Sequence, residues 1–441
     1  MELHTNTLAA QDRVEDNPDP WTLIDSVIGL RSSDAQFWWE RTGRMLARLL
    51  EGAKYTTEEQ FNELFVFALL IAPELGPAPD ENGNLPRWQS SNTPDSTPTD
   101  FSWEWRPGNK GTVRYTFEPI GPHAGTPSDP LNQYAANLWL AKLQKHNLVP
   151  GLDLEWYDHF TRHILPGTNT EGTRTVTGQI KGIAPVAGCY LARDLEPTGP
   201  VVKAYLYPGL KSHELGISSL DLAERAIRSL PDRQLASLDF EPLFEYLHEG
   251  VAKYSFLIEL IGVDCVDPKA ARIKFYVRAP HTSIAYLMDA LTLGGRRPHD
   301  GSDDALQDLK ALWTTFLGDA PDVLPASTPV RSQPGFYYTI SARKPVSPKV
   351  YFSPEHWCKN EFHFLSRLRG YFSSRRSDQM MDNYEQAMRT IYGTEILDKR
   401  CGSHYYIGCA LHKGQLRIVT YLNPQTITIE REAIRNGVNS K

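Results

Sequence analysis

A chain of 441 residues with 41% hydrophobic and 22% charged side chains, and with 31 Gly and 32 Pro, has the balance of a folded globular protein and excludes a disordered or fibrous one. Its net charge of -7, without a long basic run, excludes a nucleic-acid partner held by bulk phosphate attraction, so any basic site must be local. No run approaches the roughly eighteen apolar residues of a membrane span, and the polar, acidic N-terminus lacks a signal-peptide pattern, which predicts a soluble, cytoplasmic protein with no membrane partner. Cys189, Cys265, Cys358, Cys401 and Cys409 form no CxxC pair and read as reduced thiols rather than a disulfide framework.

Residues 1 to 20 read as a flexible tail closed by Pro18 and Pro20, and residues 21 to 441 as one domain. FWWERTGRMLARLLEGAKY and TTEEQFNELFVFALLIAPELG follow as two amphipathic helices that pack as a hairpin. A capping pattern of Thr57 and Gln60 opens the second, and Pro73 and Gly76 stop it. Residues 76 to 99 are loop, and at Asp100 the period changes from helix to strand.

Strand signals then come in pairs. DFSWEW and TVRYTFEP flank RPGNKG; APVAGCYLA and PVVKAYLYP flank RDLEPTG; KYSFLIELIGV and RIKFYVRA flank DCVDPKA. GFYYTISA and PKVYFSP flank RKPVS, and SHYYIGCAL and LRIVTYLNP flank HKGQ. Helical stretches such as LNQYAANLWLAKLQKH, SSLDLAERAIRSL, TSIAYLMDALTL and SDQMMDNYEQAMRTIYG lie between them, so the unit repeats every ~70 to 87 residues. Ten antiparallel strands left open would expose long edges, and the helices need an apolar surface to cover. The expected class is therefore α+β, a ten-stranded barrel ringed by helices and wide enough to hold a ligand.

Three second strands carry the triplet Lys-x-Tyr: Lys203 with Tyr205, Lys274 with Tyr276, and Lys349 with Tyr351. Chance supplies roughly one such triplet, and the strand period of two puts both members on one face. Arg272 extends the second triplet on that face; Arg114 stands on the first hairpin, and Tyr406 and Tyr421 on the last. Any one triplet is also what Lys stems lying over rings on an outward face would produce, and Arg114 alone has Glu118 as a same-face partner. Recurrence across hairpins favours the inward reading. Inward cations repel one another and lose hydration unless an anion sits among them, and five interleaved tyrosines offer rings to a cation. Anion and cation in one site describe an ionising allylic diphosphate. At about 0.5–2 kcal/mol per contact, five rings supply at most ~10 kcal/mol, or roughly seven decades of rate.

Absent motifs restrict the chemistry further. Asp303, Asp304 and Asp308 lack the DDxxD spacing that would hold magnesium and read as a helix N-terminal cluster. GxGxxG, GxxxxGK[ST] and HExxH are missing, so no metal and no other cofactor is expected, and side chains alone must neutralise a diphosphate.

VVKAYLYP, RIKFYVRA after DCVDP, PKVYFSP, TPTDFSWEW followed by VRYTFEPIG, and the early FWWERTG and LGPAP together resemble the fungal dimethylallyltryptophan synthase type of aromatic prenyltransferase, from about Asp34 to Pro424. The resemblance implies the prenyltransferase (ABBA) barrel and dimethylallyl diphosphate as co-substrate. By position it makes Arg114, Lys203, Arg272, Lys274 and Lys349 the diphosphate-binding residues, the last where the family has Gln or Lys. It makes Tyr205, Tyr276, Tyr351, Tyr406 and Tyr421 the shield around the dimethylallyl cation. Asp100 takes the place of the family's Glu, which accepts the indole N-H; its carboxylate is one methylene shorter, which suits a differently placed donor. A strand-capping role for Asp100 is the alternative. Some members carry a basic Lys on the first strand of the second hairpin, but APVAGCYLA has none and Lys181 lies upstream, so the proton-removing base is unassigned.

The leading expectation is metal-independent dimethylallyl transfer to an indole, tryptophan or a tryptophan-derived alkaloid or cyclic dipeptide, in secondary metabolism. A phenolic acceptor, tyrosine or a hydroxylated polyketide, is the alternative within the same fold. A non-catalytic barrel for phosphorylated ligands is the alternative outside it. Small molecules are the expected partners, and monomer and homodimer are equally compatible with the sequence.

Overall fold

Five hairpins form where the strand signals pair, and their ten strands close on themselves. The computed structural model describes residues 19–105, 111–167, 187–196, 199–374, 378–412 and 414–435. The strands are β1 (Thr99–Trp105), β2 (Thr112–Phe117), β3 (Cys189–Glu196), β4 (Gly199–Leu206), β5 (Leu257–Asp264), β6 (Arg272–Arg278), β7 (Gly335–Ser341), β8 (Lys344–Phe352), β9 (His404–His412) and β10 (Gln415–Leu422). Each pairs antiparallel with its neighbours in chain order, and β1 with β10 closes the barrel, leaving no open edge.

Alternation sorts the side chains into two layers. On β1, Phe101, Trp103 and Trp105 are buried in the core outside the barrel, whereas Asp100, Ser102 and Glu104 line its interior. Val202, Ala204 and Leu206 of β4, Ile273, Phe275 and Val277 of β6, and Val350 and Phe352 of β8 continue the outer layer. Helices Tyr134–Lys145, Glu155–Ile164, Ser219–Arg228, Ile284–Leu291 and Asp303–Leu317 cover it. Burying one large side chain there stabilises by roughly 1.5–3 kcal/mol, so the layer between barrel and helices is the main core.

Several boundaries differ from the sequence reading. Pro20 opens the helix Pro20–Val27, with Asp19 as its cap. Thr56 and Glu59, rather than Thr57 and Gln60, form the reciprocal capping box, because Thr56 is the residue with extended backbone. Both early helices contain π-turns, Trp39–Gly43 and Phe67–Ile71. The second hairpin differs most: β3 runs through Arg193 to Glu196, which composition assigns to a turn, because β2 and β4 pair with it on both sides. Residues 184–186 of APVAGCYLA, and Lys181, lie outside the described residues. β5 starts at Leu257 because Lys253 and Tyr254 finish the helix Glu241–Tyr254, which Ser255 ends in a left-handed conformation. As expected, Asp303 and Asp304 stand in the first turn of a helix, capped by Ser302.

The register shifts at three places in the described ladders, once between β7 and β8 near their turn and at two bulges that bear on the lumen. Leu257 and Ile258 pair in register with β6, and the register shifts before Leu260, so Glu259 is extra on β5. On β9, Tyr406 faces Tyr421 while His404 faces Leu422, leaving Tyr405 extra. Both extra residues turn into the barrel.

Candidate active site

Direct cross-strand neighbours point to the same face, so the register alone places the inner ring. Ser102 stands opposite both Arg114 and Tyr421, Arg114 opposite Asp194, Lys203 opposite Asp264, and Tyr276 opposite Tyr337, which stands opposite Lys349. Two adjoining cavities result, sharing Asp100, Thr116, Tyr205, Tyr276, Tyr337 and Tyr421 as walls. Arg114, Lys203, Arg272, Lys274 and Lys349 line the inner one. Tyr351 and Tyr406 line the outer one, which holds about 1560 Å³ including its open mouth. All eleven site residues read from the sequence thus come together around these two adjoining cavities.

The inner cations are not bare, contrary to the expectation that only an external anion could keep them together. Arg114 pairs with Glu104, with Asp194 at 3.1 Å and with Glu196 at 3.2 Å. Glu118, the alternative partner offered by the sequence, instead accepts from Trp88, Ser90 and Asn132. Lys203 pairs with Asp194, while Asp264 takes Arg272 at 2.5 Å and Lys274 at 2.9 Å. Arg417, a further inward cation, pairs with Glu104. Among the described residues Lys349 has no carboxylate partner; its ammonium lies 5.2 Å from the centre of the Tyr337 ring. With every lysine protonated, six cations among the described residues face four carboxylates, Glu104, Asp194, Glu196 and Asp264, a formal excess of two positive charges apart from Asp100.

Burial and these pairings set the protonation of the ring. Burial pushes the Lys274 amine down to about 7 against the pull of Asp264. Burial, with Arg272 and Arg114 nearby, pushes Lys349 down to about 8. Burial opposes the ionisation of Asp194, yet Lys203 and Arg114 hold it below the ordinary carboxylate range. An incoming polyanion would favour the charged form of both lysines.

Above the cations runs a belt of rings. Tyr205 and Tyr276 meet edge to face at 5.9 Å, Tyr276 and Tyr351 at 5.9 Å, Tyr351 and Tyr406 at 5.7 Å, and Tyr406 and Tyr421 at 6.4 Å. Tyr337 joins by stacking on Tyr276 at 4.9 Å. Strand glycines make room for the rings: a Cβ on Gly335 would lie 2.4 Å from the Tyr351 ring, and one on Gly262 3.1 Å from Tyr205. At the outer end Arg278 is buried, donating to Glu259 at 2.6 Å and to the Tyr406 hydroxyl at 2.7 Å. Its guanidinium sits 4.8 Å and 5.0 Å from the centres of the Tyr351 and Tyr406 rings, which fixes two members of the belt.

Asp100 is buried where the two cavities meet. One carboxylate oxygen accepts from the Thr116 backbone N–H at 3.0 Å and from the Thr116 hydroxyl; the other accepts from the Tyr405 hydroxyl. The strand-capping alternative thus describes half of its bonding, and its other half faces the lumen. Burial pushes the Asp100 carboxyl up to about 6, less than it otherwise would because Thr116 and Tyr405 donate to it.

Sequence reasoning missed Glu104, Asp194, Glu196, Glu259, Asp264, Arg278, Tyr337, Tyr405 and Arg417. For Glu104, Arg278 and Arg417 the signal was present, since each continues a polar alternation through Asp100, Lys274 or Tyr421. Asp194 and Asp264 were hidden in segments of turn composition, and Glu259 and Tyr405 by the bulges. Among the described residues no group of three His, Cys, Asp or Glu side chains could hold a metal ion, and no helix is long and apolar enough to cross a membrane.

Residues 34–387 match the tryptophan dimethylallyltransferase family. The chain is 32% identical to the 4-O-dimethylallyl-L-tyrosine synthase of Claviceps purpurea, over 90% of this chain and 89% of that one. It is 29% identical to xanthone prenyltransferase B of Emericella nidulans, over 99% and 98%, and 28% identical to the 7-dimethylallyltryptophan synthase of Aspergillus fumigatus, over 89% and 86%. In fold it is similar to the crystal structure of AnaPT from Neosartorya fischeri, with a TM-score of 0.81 at 21% identity over 92% of this chain and 98% of that one.

Proposed function

The chain belongs to the tryptophan dimethylallyltransferase family of aromatic prenyltransferases, and from that premise we propose that it moves a dimethylallyl group from dimethylallyl diphosphate to a hydroxylated aromatic acceptor, without a metal. Membership in an enzyme family leaves no place for the non-catalytic barrel. In this reading Arg114, Lys203, Arg272, Lys274 and Lys349 hold the diphosphate, and the two excess positive charges offset the negative charge that grows on it as the C–O bond breaks. Tyr205, Tyr276, Tyr351, Tyr406 and Tyr421 cover the allylic cation and keep water from it. The acceptor occupies the outer cavity, against the belt and beside Asp100.

The observation that carries the phenolic acceptor is the placement of Asp100, a buried carboxylate at the wall of the outer cavity that accepts from Thr116 and from the Tyr405 hydroxyl. A carboxylate that ionises near 6 is matched to taking the proton of a hydroxyl whose acidity rises steeply as its oxygen or ring is alkylated. The relatives named for tyrosine and xanthone substrates support this reading. The indole acceptor implied by the family resemblance is the second reading, supported by the relative named for tryptophan and by a carboxylate standing where the family has one. The test is an assay of chelator-treated protein with dimethylallyl diphosphate against tyrosine, hydroxylated polycyclic aromatics, tryptophan and cyclic tryptophan dipeptides, read by mass for one added prenyl unit. Product with hydroxylated acceptors is expected; product with indoles alone would replace the phenolic reading by the indole one.

A further inference from the structure

The donor cations and the ring belt leave unexplained a tyrosine that strand alternation would have pointed away from the barrel. Tyr405 is the extra residue of the β9 bulge, and it lines the outer cavity next to Tyr406, with ring centres 4.7 Å apart. Its hydroxyl donates to Asp100, 305 residues earlier in the chain. Asp100 is 3% exposed and Tyr405 7% exposed. A carboxylate has about four acceptor positions. Thr116 takes two on one oxygen and Tyr405 one on the other, so Asp100 has little left to offer a substrate directly. The Tyr405 oxygen, by contrast, keeps its lone pairs while its proton points at the carboxylate. The other titratable groups around the pair are Tyr406 on the same strand and Tyr421 on β10, with Arg114 of β2 acting on Tyr421.

Resting on the phenolic reading above, we propose that Tyr405 is a catalytic residue that accepts the hydroxyl proton of the acceptor and passes its own proton to Asp100. Written for attack through oxygen, the bond between C1 of the donor and the diphosphate oxygen breaks, with its electron pair leaving on diphosphate. A lone pair of the acceptor oxygen forms the new C–O bond. The acceptor proton moves to the Tyr405 oxygen as the Tyr405 proton moves to Asp100, which then holds the one proton released and returns it to solvent after product leaves. Tyr405 is neutral before and after, so no buried phenolate persists; burial and the neighbouring Asp100 both oppose one.

Tyr405→Phe keeps the ring in its bulge and deletes only the relay, and thermal melting checks that it folds. With a hydroxylated acceptor, kcat is expected to fall by about 100-fold or more, within the range of a lost proton-transfer group, while KM for dimethylallyl diphosphate changes less than about threefold. The deficit should shrink several-fold with a fluorinated acceptor whose phenol is already ionised, because no proton then needs relaying. Asp100→Asn combined with Tyr405→Phe should be no worse than the poorer single variant, since groups in series are not additive. A Tyr405→Phe protein that matches wild type, or whose deficit is the same with ionised and un-ionised acceptors, would overturn the relay while leaving the phenolic reading intact. Wild-type product with indoles alone would overturn both.

Discussion

Replacing Asp100 by Asn should make the protein more stable and nearly inactive, a combination that separates a functional carboxylate from a structural one. The magnitude follows from burial. A carboxyl that ionises near 6 in the fold and near 3.8 in the unfolded chain makes the folded state less stable at pH 7.5 by about 3 kcal/mol, at about 1.4 kcal/mol per pH unit. The sign follows from proton binding: between 3.8 and 6 the native state holds the proton more tightly, so its contribution is fully present below 3.8 and is lost as the pH rises through 6. Asn is neutral throughout, its oxygen can keep the 3.0 Å bond from the Thr116 N–H, and its nitrogen can donate to the Tyr405 oxygen. For 441 residues the unfolding entropy is roughly 0.9 kcal/mol per degree, so the variant should melt about 3 °C higher at pH 7.5 and close to wild type at pH 4. Glu118, pushed up to about 7 by burial, titrates nearby in both proteins and cancels in the comparison. Melting curves at several pH values, beside prenyl transfer expected to fall by about 10²- to 10⁴-fold, check both halves. An Asn variant that melts at or below wild type at pH 7.5 with the same pH slope would refute the claim that Asp100 carries a burial penalty.

Lys274→Ala should lower kcat/KM for the donor by about 10- to 100-fold, the worth of one charge-assisted contact. Its fold should survive because Asp264 keeps Arg272 at 2.5 Å; a folded variant with normal kinetics would remove Lys274 from the diphosphate site. The Lys274 amine ionises near 7 in the fold and 10.5 when unfolded, so it makes the wild-type protein gain stability as pH rises between those values. In the Ala variant that rise should flatten, which denaturation at pH 7 and pH 9 measures. Inorganic pyrophosphate in excess of chelator should raise the melting temperature by about 3 °C at one hundred times its Kd, or about 2.7 kcal/mol. No shift at millimolar pyrophosphate until magnesium is restored would mean that side chains alone do not hold the anion.

Much of the barrel was legible because its code is local. Lys203, Tyr205, Lys274, Tyr276, Lys349 and Tyr351 share a face wherever their strands lie, since alternation depends only on the backbone of each strand. Five pairs of such strands separated by turn residues leave few alternatives to closure, and the outer alternation of Phe101, Trp103 and Trp105 already required a helical cover. Polar alternation through Glu104, Arg278 and Arg417 was equally readable, but it stood on strands whose inward face had been identified from other residues.

What only the tertiary structure decided is which residues of different strands meet. Asp194 faces Arg114 and Asp264 faces Lys203 because of the stagger between strands separated by long stretches of chain, and no local pattern encodes that stagger. These pairings turn a ring of bare cations into one with a small net excess. The bulges at Glu259 and Tyr405 reverse the facing of a single residue where the ladder slips, so they bring a carboxylate and a hydroxyl into the lumen that alternation would send outward. The sequence alone determined that cations and tyrosines share one face on successive hairpins. The fold determined what stands beside Asp100, because the hydroxyl that touches it lies 305 residues away and reaches it only when β1 and β10 close the barrel.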